Sequence, residues 1–167
     1  MTEAITQVVA IPLEASTWAP YGWVPVADVD PADGAERLSY DGGDPHLNVI
    51  AHDLNELEVV GGALRCPELY RHARHTQALL VLNCPAVIAV APADVTFSGP
   101  QDARHVRAFT LQPLDYFVLR RGTWHWGPYP VQDPTVRLWN LQARGYIEDN
   151  DRTDLAALGA TVDVVVR

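Results

Sequence analysis

The chain has 167 residues, of which 48% are hydrophobic and 20% charged, as in a folded globular protein rather than a disordered one. Its formal net charge is −9, and all 12 of its Lys and Arg residues are arginines. The acidic excess argues against a nucleic-acid partner, because phosphate binding needs a basic face. The lack of lysine excludes Schiff-base chemistry and covalently attached pyridoxal phosphate.

The length predicts one domain over residues 1–167. The first residues contain no basic region followed by a long apolar run, and no stretch approaches the roughly 18 apolar residues of a membrane span. We therefore expect a cytoplasmic protein that does not bind a membrane. Cys66 and Cys84 are too few for a disulfide framework, and their spacing matches no zinc pattern.

Short apolar and β-branched runs, separated by Gly, Pro, Asp or Asn, predict strands along most of the chain. These strands are 7–13, 75–82, 87–92, 103–111, 115–120, 135–143 and 160–167. Residues 27–46 are rich in Asp, Pro and Gly and predict a long loop. Residues 151–159, with Leu155 and Leu158 three apart and Gly159 at the end, predict a helix. Many short strands with little helix are typical of a jelly-roll sandwich or barrel.

The strand predicted at 75–82 begins polar and ends apolar. Because side chains alternate between faces, His75 and Gln77 share one face with Leu79 and Val81. That face predicts a barrel wall with a polar mouth and an apolar floor.

Two short segments gather titratable residues. The segment ELYRHARH (68–75) crowds two arginines and two histidines into five positions, which fits either a solvated basic patch or a functional site. They are Arg71, His72, Arg74 and His75. The segment GTWHWGPYP (122–130) places His125 between two tryptophans. On pattern alone, His125 is either a structural histidine or a catalytic one.

The run His75-Thr76-Gln77 and the later Gly122-Thr123-Trp124-His125 resemble the two half-motifs of the cupin barrel. In a metal-binding cupin the first half-motif is His-x-His followed by Glu. Here Gln77 stands at the second histidine position, and Val81 or Leu82 stands at the Glu position. We therefore expect no metal cofactor. The alternative is a divalent metal at His75, Gln77 and His125, with His72 as a further ligand.

A longer ordered set of motifs covers residues 20–143. It comprises Pro20-Tyr21-Gly22, Arg71-His72, Thr76-Gln77-Ala78, Arg107-Ala108-Phe109 and Gly122-Thr123-Trp124-His125. This set resembles the ureidoglycolate lyase family, which are cupins of about this length. The chain departs from the family pattern at Tyr70, usually acidic, and at Trp126, usually a second histidine. The resemblance implies an all-β, cupin-type double-stranded β-helix (a jelly-roll barrel), to which the predicted helix adds a short C-terminal element.

Members of that family split ureidoglycolate into glyoxylate and urea, a step in allantoin breakdown, and need no cofactor. The resemblance implies proton transfer by His125 and His72, since histidine titrates near neutral pH. It implies that Arg71 holds the carboxylate of a small anionic substrate, with Arg74 or Arg121 as replacements. The other implied substrate-binding residues are Gln77, His75, Trp124 and Tyr21. A homodimer is the commonest assembly for such folds.

The sequence is compatible with two other functions. The first is a metal-dependent cupin, a dioxygenase or a sugar isomerase. The second is a non-catalytic module in which Trp124, Trp126 and Tyr129 form a platform for a sugar ring.

Overall fold

A computed structural model describes residues 4–27 and 40–167 of the protein, and within them fifteen strands form three sheets. The strands are β1 Ala4–Val9, β2 Ile11–Pro12, β3 Gly22–Trp23, β4 Pro45–Asp53, β5 Val59–Val60, β6 Ala63–Cys66, β7 Glu68–Arg71, β8 Gln77–Val81, β9 Ala86–Ala91, β10 Arg107–Leu111, β11 Tyr116–Leu119, β12 Trp124–Pro130, β13 Thr135–Ala143, β14 Asp151–Asp154 and β15 Ala160–Val165. The helical segments are α1 Ala15–Trp18 and the 3-10 turns Leu54–Glu56, Pro100–His105, Arg144–Tyr146 and Ala156–Leu158. None of the helices in this described part of the chain is long and apolar enough to cross a membrane.

The strand order is that of a jelly roll. One sheet runs β14-β7-β12-β9-β10-β2, a second β3-β11-β8-β13-β4, and a third β1-β15-β6-β5. In the first two sheets the antiparallel pairs are β4 with β13, β7 with β12, β8 with β11, and β9 with β10. Among the eight strands β4 and β7–β13, the first strand therefore pairs with the last, the second with the seventh, the third with the sixth, and the fourth with the fifth. This is the double-stranded arrangement that cupins share. The predicted all-β, cupin-type barrel is confirmed by this order.

Two buried cores lie on either side of the six-stranded sheet. The barrel core fills the space between this sheet and the five-stranded sheet, and consists of Trp18, Tyr21, Leu79, Val81, Cys84, Ala86, Ile88, Val90, Phe109, Leu111, Phe117, Leu119, Val136 and Leu138. The outer core lies between the six-stranded and four-stranded sheets and includes Leu64, Cys66, Leu69, Ala89, Trp124, Trp126, Val162 and Val164. Strand β9 is buried on both faces, which explains its continuous apolar sequence.

Aromatic side chains fill the apolar end of the barrel core. Trp18, at the end of α1, is fully buried, and its ring meets Phe109 and Phe117 edge-on, with centroids 5.1 and 5.0 Å apart. Its indole N–H donates to the Val118 carbonyl over 3.1 Å. A Cβ on Gly22 would lie 1.8 Å from the same carbonyl oxygen, so only glycine lets β3 approach β11 this closely.

Four of the predicted strands contain a strand of the structure: 75–82, 115–120, 135–143 and 160–167. A fifth, 87–92, overlaps β9 with a shift of one residue. The first prediction, 7–13, corresponds to the end of β1 and to β2. In 103–111 only the second half is a strand. Its first half belongs to the 3-10 turn Pro100–His105, where the Asp102 carboxylate accepts the backbone N–H groups of Ser98 and Gly99.

The helix predicted at 151–159 is wrong. Residues 151–154 form strand β14, which extends the six-stranded sheet by pairing with β7. One 3-10 turn follows and ends at Gly159, whose left-handed φ of 75° makes it the predicted C-cap. Of the long loop predicted at 27–46, residues 28–39 lie outside the described part of the chain, and the last two already belong to β4.

Neighbouring aromatics on β11 provide a test of this packing. Phe117 points into the barrel core and is 1% exposed, whereas Tyr116 points outward and is 46% exposed. We expect Phe117→Ala to lower the free energy of unfolding by about 3–5 kcal/mol, because it leaves a cavity in the aromatic cluster. Tyr116→Ala should lower it by less than about 1 kcal/mol. Urea titrations of both variants measure the difference, and equal losses would contradict the assigned faces.

Candidate active site at the barrel mouth

The inner face of the five-stranded sheet changes from apolar to polar along its strands. On β13, Val136 and Leu138 are buried at one end, and Asn140 and Gln142 are buried toward the other. On β8, Gln77 precedes Leu79 and Val81 on the buried face. The barrel therefore has an apolar floor and a polar mouth, as the alternation in residues 75–82 predicts.

His125 lies inside strand β12 rather than after a strand end. It pairs in register with Val90 of the barrel core, so its side chain faces the barrel interior. Its Nδ1 lies 3.2 Å from the Thr123 carbonyl oxygen. Burial, reinforced by the nearby His72, lowers the pKa of His125 to about 3. The imidazole is therefore neutral throughout the physiological pH range.

His72 connects His125 to His75. Its ring stacks on that of His75 with centroids 4.6 Å apart, and its centroid lies 5.4 Å from that of His125. The Gly122 amide donates to the His72 carbonyl over 2.7 Å, which ties the turn before β12 to this segment. Gly122 has a φ of +79°, a conformation that favours glycine. The three rings form the histidine cluster, defined as His72, His75 and His125.

Asp149 anchors the histidine cluster and was not among the residues expected from the sequence. One carboxylate oxygen accepts the His75 Nδ1–H over 2.9 Å. The carboxylate also accepts the backbone amides of Ala73 and Arg74 over 3.0 and 2.9 Å, and its own backbone carbonyl lies 2.7 Å from His72 Nδ1. Burial alone would raise the pKa of Asp149, but the two amides lower it below its usual value. The buried carboxylate is therefore ionised and fully hydrogen-bonded.

These contacts fix the tautomers of the cluster. A carbonyl or carboxylate oxygen can only accept, so the Nδ1 atoms of His72, His75 and His125 carry hydrogen and each Nε2 keeps its lone pair. Burial and the neighbouring His72 lower the pKa of His75, outweighing the carboxylate of Asp149. Burial likewise lowers the pKa of His72. The cluster presents uncharged imidazole bases.

A cleft reaches this cluster from the surface. It has a volume of about 430 Å³, and its walls include Arg74, His75, Glu148 and Asp149. The side chain of Arg74 is 69% exposed at the rim, where it contacts the Asp149 carboxylate at 3.4 Å and donates to the Glu148 carbonyl over 3.0 Å. A small anionic molecule entering the cleft would meet a guanidinium first and the His75–Asp149 pair next.

Arg71 and Trp124 do not join this site. Both lie on the opposite face of the six-stranded sheet, where the Arg71 guanidinium sits 4.3 Å from the centre of the Trp124 ring and pairs with Asp151 at 3.0 Å. Because Trp124 and His125 are consecutive in β12, their side chains face opposite sides. The structure therefore does not bring Arg71 and Trp124 together with the histidine cluster, and their expected roles as carboxylate clamp and substrate contact stay predictions.

Of the other residues expected at the site, Tyr21 and Arg121 lie elsewhere and Gln77 lies at the mouth. Tyr21 packs against Trp18 and Phe109 in the barrel core, with centroids 5.7 and 5.6 Å away, which is a structural position. Arg121 pairs with Asp41 at 2.8 Å. Gln77 is buried at the mouth, as expected.

The tryptophans of GTWHWGPYP do not form a platform. Trp124 is 6% exposed and Trp126 is 3% exposed, and both belong to the outer core. A platform needs an exposed ring face, which these two tryptophans do not offer, and Tyr129 is only partly buried. Trp126 also points away from the histidine cluster.

In the described part of the chain, one set of side chains could hold a metal ion. Ligand atoms of His72, His75 and Asp149 lie within 4.8 Å of one another. This set differs from the one considered from the sequence, since it contains a carboxylate that comes from another segment. The Asp149 carboxylate already accepts several hydrogen bonds, so it fits best as the group that orients the imidazoles, leaving their Nε2 atoms as metal donors.

No family model matches the chain, and neither does any curated protein. Among solved structures, oxalate decarboxylase from Bacillus subtilis is 16% identical over 86% of this chain and 29% of that one, with a TM-score of 0.41. L-ribose isomerase from Cellulomonas parahominis is 21% identical over 71% of this chain and 56% of that one, with a TM-score of 0.41.

The chain spans between 24% and 30% of the oxalate decarboxylase chains it matches. The strand order of the protein is itself that of a jelly roll. Fold and site together define a cupin-type barrel with a histidine-lined mouth.

The burial of His125 predicts how stability depends on pH. The unfolded chain binds a proton on His125 near pH 6.5, but the folded protein binds it only near pH 3. The unfolded state therefore holds more protons below pH 6.5, and acidification destabilises the fold by up to about 1.4 kcal/mol per pH unit from this group. Between pH 7 and 5, with chelator present, His125→Gln should show a shallower decline in unfolding free energy than wild type. Parallel declines would contradict the burial of His125.

Proposed function

We propose that the protein is an enzyme that performs acid–base chemistry on a small anionic substrate, of the ureidoglycolate lyase type. The observation that carries the proposal is the 2.9 Å contact between His75 Nδ1 and the buried Asp149 carboxylate, at the inner end of a cleft rimmed by Arg74. An imidazole oriented by a carboxylate is a general base whose free nitrogen points at the substrate.

His75 and Asp149 can perform both proton transfers of that reaction. His75 Nε2 takes the proton of the substrate's carbinol hydroxyl while the C–N bond breaks and the C=O bond of glyoxylate forms. The same proton then passes from His75 Nε2 to the departing urea nitrogen. Asp149 stabilises the imidazolium that exists between the two transfers. His75 takes the role that the resemblance implied for His125, because His125 is too weak a base at a pKa of about 3.

Arg74 replaces Arg71 as the proposed carboxylate clamp. Its guanidinium lies at the cleft that His75 also lines, whereas Arg71 is on the other face of the sheet. His72, stacked on His75, holds the His75 ring in place and is the nearest second base. The homodimer, the single domain, the cytoplasmic location and the lack of a nucleic-acid or membrane partner stay predictions.

The direct test is glyoxylate release from ureidoglycolate by the purified protein, with and without chelator. We expect release that persists after chelation. Absence of release under both conditions would overturn the lyase proposal.

Asp149→Asn tests the proposed pair. The amide cannot stabilise the imidazolium and can donate to His75 Nδ1, which favours the wrong tautomer, so kcat should fall about 10²–10⁴-fold. Asp151→Asn is the matched control, because Asp151 pairs with Arg71 on the opposite face. Steady-state kinetics on ureidoglycolate should show kcat near wild type for Asp151→Asn. Similar kcat values for the two variants would remove Asp149 from the mechanism.

Arg74→Gln and Arg71→Gln together test the clamp. Loss of a guanidinium that holds the substrate carboxylate removes binding felt in both ground and transition states, so KM should rise about tenfold or more with a smaller change in kcat. Arg71→Gln should leave KM within about twofold of wild type. A larger rise in KM from Arg71→Gln than from Arg74→Gln would indicate that Arg71, and not Arg74, binds the substrate carboxylate.

A metal-dependent cupin enzyme is the second candidate, favoured by the proximity of His72, His75 and Asp149. In that case the two imidazoles would hold a divalent ion, and Asp149 would orient them. The ion would supply Lewis acidity to a bound oxygen of the substrate. Activity that disappears with chelator and returns with a divalent ion would support this candidate instead.

A further inference from the structure

Two buried hydrogen-bond acceptors at the barrel mouth face no donor. Within residues 4–27 and 40–167, neither His75 Nε2 nor Gln77 Oε1 has a hydrogen-bond partner. His75 is 3% exposed and Gln77 is 7% exposed, so bulk water does not satisfy these atoms. Buried polar atoms without partners are rare in folded proteins. His75 lines the cleft described above, so its unpartnered nitrogen marks a place where a ligand donor belongs.

The direction of the Gln77 amide is set by two asparagines on neighbouring strands. Gln77 Nε2 donates to Asn140 Oδ1 over 2.8 Å, and Asn140 Nδ2 donates to Asn48 Oδ1 over 2.9 Å. Asn140 is fully buried and pairs in register with Asn48 across β13 and β4. We call these three residues the amide ladder. With its N–H₂ group engaged by the ladder, Gln77 presents its carbonyl oxygen as the unpartnered group.

The unpartnered atoms of Gln77 and His75 are therefore acceptors. Gln77 offers Oε1, and His75 offers the Nε2 lone pair because its Nδ1–H donates to Asp149. Ligand O–H and N–H donors satisfy such acceptors: the carbinol hydroxyl proposed above suits His75 Nε2, and the primary amide end of a ureido group suits Gln77 Oε1. A methyl or carboxylate end leaves them unpaired, and a buried acceptor without a donor is costly.

We propose that the barrel mouth recognises the terminal N–H₂ of a ureido or primary amide group, and that Asn140 and Asn48 are positioning residues that give Gln77 this selectivity. The inference rests on the proposed function in that it takes the ureido substrate class from it. It adds that the ureido end lies at Gln77 while the carboxylate end lies at Arg74. The Gln77 carbonyl oxygen disfavours an anion at the inner end, whereas the Arg74 guanidinium attracts one at the rim.

The test compares two probes of nearly equal shape by isothermal titration calorimetry on the purified full chain. N-carbamoylglycine ends in N–H₂, and N-acetylglycine ends in a methyl group at the same position. Wild type should bind N-carbamoylglycine about tenfold or more tightly, the usual effect of leaving a buried acceptor unpaired. Equal affinities, a preference for N-acetylglycine, or no binding of either probe overturns the proposal.

Three variants separate recognition from folding. Gln77→Leu removes the acceptor and should bring the affinity ratio of the two probes close to one. Asn140→Leu releases the Gln77 amide and should reduce the ratio at least several-fold. In Asn48→Asp the new carboxylate can only accept a hydrogen bond, so Asn140 must donate to it as it does to Asn48 in wild type. The affinity ratio of the two probes should then equal that of wild type. If Asn48→Asp inverts the ratio, the ladder runs in the opposite direction and the proposal fails.

The outcome for the ladder is distinct from that for the lyase. Selective binding of N-carbamoylglycine without glyoxylate release from ureidoglycolate would keep the recognition site and remove the proposed reaction. Glyoxylate release with an affinity ratio of one would keep the reaction and remove the ladder's role. Because a ratio of two affinities is measured on the same folded sample, a loss of folded protein does not move it.

Discussion

The Asp149 carboxylate is the interaction on which the candidate site depends. It lies in the segment after β13, yet it binds the backbone amides of Ala73 and Arg74 and the imidazole of His75, more than seventy positions earlier. A buried carboxylate must be compensated by donors, and here the compensation comes from the segment that carries two of the three histidines. The same contact fixes the loop, the ring orientation and the tautomer of His75.

Side chains of strand β12 alternate between the candidate site and the outer core. His125 faces the barrel interior, while Trp124 and Trp126 face the outer core. The six-stranded sheet therefore serves as one wall of the site and as one wall of a second hydrophobic core. Arg71 follows the same logic on β7: it lies over Trp124 because it shares the outer face, and so it is removed from the histidines next to it in sequence.

The histidine cluster and Gln77 present hydrogen-bond acceptors at the barrel mouth. The described hydrogen bonds engage the Nδ1–H of every histidine in the cluster and the N–H₂ of Gln77, which leaves nitrogen and oxygen acceptors toward the interior. Such a surface is complementary to N–H and O–H donors, and equally to a cation. The lyase and the metal-dependent candidates therefore draw on the same atoms, and occupancy by a substrate donor or by an ion distinguishes them.

Period-two patterning determined much of this protein from its sequence: the all-β class, most long strands, and the polar mouth above the apolar floor of β8. It missed β4, where the inward side chains His46 and Asn48 are polar and the outward Leu47 and Val49 are exposed, because that pattern inverts the usual one. It also placed β14 in a helix, since pairing with β7 outweighed local preference. Only the tertiary structure decided which basic residue lines the cleft and which carboxylate orients His75. The reason is that Asp149 and Arg74 meet through chain packing, and neither their spacing nor their neighbours in the sequence carry a signal of that contact.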